Sequence, residues 1–539
     1  MPITPTYPGV YIDELPSAVR TIVGVPTSTA AFLGTAPRGA VDKPVHITSW
    51  EDYAQEFGGL DVATDMTYAV YQFYANGGSE AEIVRVVHKA PADPPKQAAA
   101  ATDPPPPVPA AAATITLPGG VTLTAASEGA WANAKLRARV DYDTAPDTAG
   151  NLYNLTIRDA TTGVTEQFLN VSKVRTDSRA LKHVVASSRL IGTVTGDDQR
   201  PSKHDDVTDG SDPFPDNPKG KNLYTAAAGG VDGDAPTAAD YEGDPERKTG
   251  LYALLNADIF NMLCLPGEPG LIGGTNILPA AMKFCVDRRA MLIVDPDPKW
   301  KQVGDVTGAV RNTTQTFVLN DPNAKNAALY FPRIVLPDVN HDNAPREFPP
   351  CGVLAGIWAR TDVQRGVWKA PAGTEAGLSG VTELTVPLTD KQNGVLNPLG
   401  VNCLRALPVV GNVVWGARTQ RGADVLADQW KYLPVRRLAL FMEESLYRGT
   451  QWVVFEPNDE PLWSSIRLNV GAFMNTLFRQ GAFQGRTPKE AYLVKCDATN
   501  NPQNDIDRGI VNILVGFAPL KPAEFVLIHI QQLAGQIQV

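Results

Sequence analysis

The sequence predicts a mixed α/β (α+β) protein with a mainly-β unit inserted in its first half. Three observations predict it. Strand-like and helix-like stretches alternate over residues 29–90 and again over 262–339. Between them, residues 114–194 hold five β-patterned runs separated by Pro-Gly-Gly, Asp-Thr and Thr-Gly turns. Residues 350–539 hold two amphipathic helices followed by three β-branched runs.

The chain opens on YPGVYIDELP (7–16), where Tyr7, Val10, Tyr11, Ile12 and Leu15 are apolar and Pro8 and Pro16 bracket them. An extended strand suits the pattern, but Pro8 brings no N–H and no hairpin partner follows. Residues 1–28 are therefore set apart as an arm. TAAFLG (29–34) reads as a strand ending at Gly34. TSWEDYAQEFGG (48–59) reads as a short helix that Thr48 or Ser49 can cap and Gly58 can stop. Met66, Ala69, Val70 and Phe73 stand at helical spacing in 65–75, and AEIVRVV (81–87) follows as a strand.

Residues 91–113 hold eight prolines and read as an extended linker without a core. Residues 114–196 suit a small β-sandwich. The acidic stretch 197–220, within a return segment 197–247, is expected to be a mobile, solvated surface loop. Strand–helix–strand spacing resumes in 248–349: MLCLPG (262–267), a helix over 278–290, MLIVDPD (291–297), and AALYFPRIVLPDV (327–339) as one strand. This order argues for a largely parallel sheet covered by helices.

Residues 350–533 form the last large unit, with a short arm at 534–539. A helix over 435–448 places Val435, Leu438, Met442 and Leu446 on one face. A second over 460–481 places Leu462, Ile466, Val470, Phe473 and Leu477 on one stripe, with Asn458 or Asp459 as cap and Pro461 in its first turn. Strands are expected at 491–497, 509–519 and 524–533. Both ends of the chain thus offer strand-like material without a local mate.

Charge and chemistry narrow the function. A net charge of −10 argues against nucleic acid as the main partner. Five well-spaced cysteines read as buried, reduced thiols, and no apolar run is long enough to span a membrane or form a signal peptide. GDPERKTG (243–250) lacks the second glycine of a phosphate loop, and the six histidines share no metal-ligand spacing. HDDVTDGSD (204–212) could offer Asp205, Asp209 and Asp212 to a hard cation, but does not follow calcium-loop spacing. No arrangement points to an enzyme or a cofactor.

Family likeness carries the rest. YPGVYIDELPS (7–17), GVPTSTAAFLGTAPRG (24–39) and NGGSEAEIVRV (76–86) begin it. LAGIWARTDVQRGVWKAPAG (354–373), LNPLGVNCLR (396–405), WGARTQ (415–420), YLPVRRLALFMEESLYRGTQWVVFEPND (432–459), LWSSIR (462–467), GAFQGRTPKEAYLVKCD (481–497) and PAEFVLIHI (522–530) continue it. In order and number these pieces resemble the tail sheath proteins of contractile phages, contractile bacteriocins and extracellular contractile injection systems. The resemblance implies a core built from the N- and C-terminal segments, an inserted outer domain, and terminal arms that exchange strands between copies. The exchanged strand would be Tyr7, Val10, Tyr11 and Ile12, completing a sheet with Phe525, Val526, Leu527, Ile528, Ile530 and Ile537 of another copy.

It also implies stacked six-membered rings around an inner tube, contraction from a metastable extended state, and baseplate and cap partners. Assembly would occur in the bacterial cytoplasm, with release by lysis. Arg467 and Arg479 on the polar face of the 460–481 helix are candidate tube contacts; the plainer reading is solvated arginines. A non-contracting baseplate or cap protein, or a glycan-binding or glycan-cleaving protein, are the alternatives.

Overall fold

Short apolar runs alternating with amphipathic helices bury themselves best as parallel strands covered on both faces. The computed structural model of the chain describes residues 20–89, 108–208, 210–267, 277–311 and 321–529, and its largest sheet has eight strands. In spatial order they are Gly411–Val414, Val401–Leu407, Ala327–Phe331, Met291–Val294, Met262–Cys264, Ala30–Gly34, Ala81–Arg85 and Val45–Ile47. The six inner strands pair in parallel; each outermost strand pairs antiparallel. Strands from the 29–90, 248–349 and 350–533 stretches thus share one sheet.

The period of two along these strands divides the core. Ala30 and Phe32 face a cluster with Met66, Phe73, Leu354 and Trp358, whereas Ala31 and Leu33 face one with Leu254, Phe284 and Val306. On the first face, helix Cys351–Arg365 lies almost backbone to backbone on helix Asp65–Ala75. Gly352 and Gly356, one turn apart, permit this: a Cβ at Gly352 would lie 2.1 Å from the Ala69 carbonyl oxygen, and one at Gly356 2.6 Å from that of Phe73. The N-terminus of the same helix is met by Asp295, whose Oδ1 accepts the Cys351 N–H at 2.8 Å. Burial pushes that carboxyl up to about 6. Helix Trp50–Phe57 forms as its sequence dictates, with Ser49 Oγ accepting the Asp52 N–H and Gly58 in the left-handed region at φ 98°.

Between Arg85 and Met262 the chain builds two antiparallel sheets of four and three strands around a separate core containing Leu123, Val140, Leu155 and Ile157. Arg38 joins this sandwich to the large sheet through Asp159 at 2.8 Å. Buried Arg85 does so through the Glu128 carbonyl at 3.0 Å.

Three expectations need correction. First, much of the acidic stretch is docked on the sandwich. Its His204 is 1% exposed and accepts the Val140 N–H through Nδ1 at 2.9 Å. Burial lowers its pKa, favouring the neutral ring this bond requires. Strand Leu136–Asp141 carries Arg137 and Arg139, whose buried guanidiniums need acceptors. Arg137 finds the Phe214 carbonyl, and Arg139 those of Asp205 and Leu223. The acids are used locally: Asp205 accepts the Asn222 N–H and Asp212 pairs with Arg158, while Asp209 lies outside the described residues.

Second, 327–339 is two strands. Pro332, which has no N–H for a ladder, interrupts it. Ile334–Asp338 then joins a three-stranded sheet with Ala344–Phe348 and Glu383–Leu384. Third, residues 524–529 form no strand with any described residue.

The C-terminal unit packs helices Leu433–Gly449 and Glu460–Arg479 with a hairpin of Tyr492–Lys495 and Leu514–Phe517. The expected stripe of Leu462, Ile466, Val470, Phe473 and Leu477 is buried, Asp459 caps the helix by accepting the Leu462 N–H, and Pro461 sits in its first turn. All five cysteines are buried free thiols. Among the described residues, no helix is long and apolar enough to cross a membrane.

Candidate assembly interface

The hairpin leads into the C-terminal tail, which crosses the body and is fixed at Glu524. The Glu524 carboxylate accepts from Arg418 Nε and Nη2, both at 2.7 Å. Tyr432 Oη donates to it at 3.2 Å. Arg418 has no exposed side chain, and its Nη1 donates to the Asn397 and Gly422 carbonyls and to Asp424 Oδ1 at 3.0 Å. Its backbone N–H donates to Asn402 Oδ1 at 2.7 Å, and Asn402 is itself buried in strand Val401–Leu407. The guanidinium is thus held in register with the large sheet, and its planar fork matches the carboxylate. Burial, then the adjacent Glu524 charge, raises the Tyr432 phenol above its ordinary pKa, so it stays a donor.

Immediately beyond this clamp the chain becomes apolar and uncovered. Phe525, Val526, Leu527 and Ile528 are 74–81% exposed and make no backbone hydrogen bond to any described residue. Nearby, among the described residues each strand of the hairpin pairs only with the other, and Leu493 and Leu514 face solvent at 53% and 51% exposure. Open edges of this kind are templates for a further strand, and a two-stranded sheet is marginal alone.

Residues 20–27 lie on the same C-terminal helices. Ile22 is buried against Gly449, where a Cβ would come within 2.6 Å of its side chain. The Arg20 N–H donates to Asn469 Oδ1 and the Val25 N–H to Ser445 Oγ. Arg437 donates to the Thr27 carbonyl while holding buried Asp362 at 2.6 and 2.8 Å. Burial raises the Asp362 pKa, and the Arg437 charge beside it opposes that rise.

Of the residues expected to act between copies, Tyr7, Val10, Tyr11, Ile12, Ile530 and Ile537 lie outside the described residues. Phe525, Val526, Leu527 and Ile528 stand together, exposed, directly after the Glu524 clamp. Arg467 is engaged within the chain, with Glu460 at 2.6 Å and with the Cys496 carbonyl, whereas Arg479 is exposed in the last turn of its helix. Sequence reasoning missed Arg418 and Glu524. Their signal lay in two motifs singled out separately, WGARTQ and PAEFVLIHI, which the fold brings together.

The tail also forms one wall of a cleft of about 780 Å³, whose other walls include Trp368, Lys369, Trp415 and Gln480. Among the described residues, no group of three or more His, Cys, Asp or Glu is placed to hold a metal ion.

Comparison with known proteins matches the chain to two family models. The phage tail sheath protein central domain covers residues 235–420, and the phage tail sheath C-terminal domain covers 427–532. The tail sheath protein of Vibrio phage KVP40 is 28% identical over 190 residues, 35% of this chain and 27% of its own length. That of Enterobacteria phage T4 is 27% identical over 169 residues, 31% of this chain and 24% of its own. The match therefore spans about a quarter of the length of these relatives.

The sheath complex of the extracellular contractile injection system PVC in its contracted state superposes with a TM-score of 0.55 at 21% identity, covering 99% of both chains. A sheath tail protein from Listeria innocua gives 0.56 at 14% identity, covering 93% of this chain and 96% of its own. These structures share the fold.

Proposed function

This chain belongs to the phage tail sheath family, and from that premise we propose that it is the structural subunit of a contractile sheath. It polymerises as stacked six-membered rings around an inner tube, capped at one end and seated on a baseplate at the other. The observation that carries this reading is the apolar run 525–528, exposed directly after a bidentate, buried clamp at Arg418. An apolar run fixed at Glu524 and uncovered just beyond it supports pairing with something beyond its own chain.

The partner proposed is the open hairpin of another copy, with Tyr7, Val10, Tyr11 and Ile12 of a further arm completing the sheet. Each backbone hydrogen bond gained contributes about 1 kcal/mol net. Burying each apolar side chain contributes roughly 1.5–3 kcal/mol as an upper range, offset in part by ordering the arm. Repeated around a ring, these links hold copies together while bodies rotate about the arm roots. Contraction then draws on energy stored at assembly and needs no nucleotide. Of the two arginines read from the sequence, exposed Arg479 is the one free to meet the tube.

Co-expression with an inner-tube protein, followed by electron microscopy, tests this. Striated cylinders in a long and a short form are expected. Single rings that never elongate would point to a baseplate or cap protein, and no assembly at all would remove the proposal.

A further inference from the structure

The loop between the two C-terminal helices carries an unusual side chain. Phe455 is fully exposed, and its backbone sits in the left-handed region at φ 70°, which a bulky residue rarely adopts. Val454 beside it is 63% exposed. The loop is acidic: Glu456 has no ion-pair partner among the described residues, and Asp459 is spent only as a helix cap. An aromatic ring held out in a strained turn, rimmed by negative charge, has the composition of an interface anchor.

The tail-walled cleft has the opposite character. Its walls include Trp368 and Trp415, the latter 38% exposed, together with Lys369 and Lys521. Neither lysine has an acidic partner among the described residues. The two features also lie at opposite ends of one element. Phe455 precedes helix Glu460–Arg479, and the cleft is bordered by Gln480 and Gly481 just past its end. Twenty residues of α-helix span about 30 Å, so the ring cannot fill the cleft of its own chain.

We propose that Phe455 of one copy inserts into the cleft of the next, with Glu456 facing Lys521 across the contact. The inference rests on the sheath reading and adds a contact separate from strand exchange. A knob and a hole on non-overlapping faces make a heterologous interface, which generates rings or helical filaments, not closed pairs. The helix acts as a ruler that sets their separation, and charge complementarity fixes which end meets which.

The test uses the full chain. F455C/K521C should give a ladder of covalent oligomers on mild oxidation of assembled protein, with neither single variant doing so; all five native cysteines are buried, so background is low. E456K and K521E should each reduce sedimentable polymer at least tenfold, and the double charge swap should restore it to within twofold. F455N removes the ring while allowing the left-handed backbone, so it should reduce polymer at least tenfold without lowering the unfolding midpoint.

Intact cylinders with no ladder and no charge-swap rescue would overturn the inference and leave the sheath reading standing. A ladder formed instead by Y11C/K521C would also overturn it, by assigning the cleft to the N-terminal arm. A ladder from F455C/K521C in protein that never forms cylinders would uphold the contact and remove the sheath reading.

Discussion

Replacing Glu524 with Gln should release the C-terminal tail. The change keeps the side chain's size but removes its charge from two bonds of 2.7 Å to Arg418. Arg418 has no exposed surface, so it cannot recruit water in compensation. Removing one partner of a buried pair costs about 3–5 kcal/mol. Here Asp424 remains at 3.0 Å, although its side chain is 48% exposed, and the Gln oxygen can still accept one bond. A cost of about 2–3 kcal/mol follows from charged hydrogen bonds worth roughly 1.5–3 kcal/mol each. At about 1.4 kcal/mol per factor of ten, tail opening becomes about 30- to 150-fold more frequent.

Limited proteolysis over residues 518–524 reads that opening directly. D424N is the control: it removes the half-exposed partner and should cost about 1 kcal/mol or less, under about fivefold. Tail cleavage in E524Q within threefold of the parent rate would refute the argument that this pair holds the tail.

Three further outcomes follow from the packing. G352A places a methyl group where the Ala69 carbonyl oxygen lies 2.1 Å away, so the two helices must separate. A loss of about 3 kcal/mol or more in urea unfolding is expected. D362N leaves Arg437 buried without its counter-charge and should cost about 3–5 kcal/mol. It should also speed exchange over residues 20–28, because Arg437 also holds the Thr27 carbonyl.

D295N should stabilise the protein above neutrality. Burial raises this carboxyl to about 6 from an ordinary value of 3.8, so its ionisation costs folding energy above pH 6, and the cost fades as pH falls from 6 toward 4. Asn retains the acceptor for the Cys351 N–H. A gain of about 1–2 kcal/mol at pH 8 and about half that at pH 5 is expected from urea titrations, and an equal gain at both would contradict the assignment.

Local signals in the sequence were read well where local physics decides. Helix Trp50–Phe57 carries its cap and its stop within a few residues, and helix Glu460–Arg479 shows its buried stripe at regular spacing. The parallel sheet was legible because strands buried on both faces are apolar throughout, as in AAFLG and AALYF. The failures came where distant groups decide. The acidic loop is docked because Arg137 and Arg139 of another strand need its carbonyls, and composition alone does not reveal that. The strand at 327–339 breaks at Pro332, a local signal that the apolar run around it masked.

For the interface, the apolar tail was legible as a segment without a mate. Its clamp was not, because Arg418 and Glu524 stand 106 residues apart and neither is unusual where it stands. Arg467 looked free on a helical wheel, yet Glu460, seven residues earlier, already holds it.

The central claim is that the tail beyond Glu524 is completed by another copy, and hydrogen exchange of the amides of residues 525–528 tests it most directly. In isolated subunits these amides should exchange near their intrinsic rates. In assembled cylinders they should be protected at least a thousandfold, as ladder hydrogen bonds require. Equal exchange in both states would contradict the account.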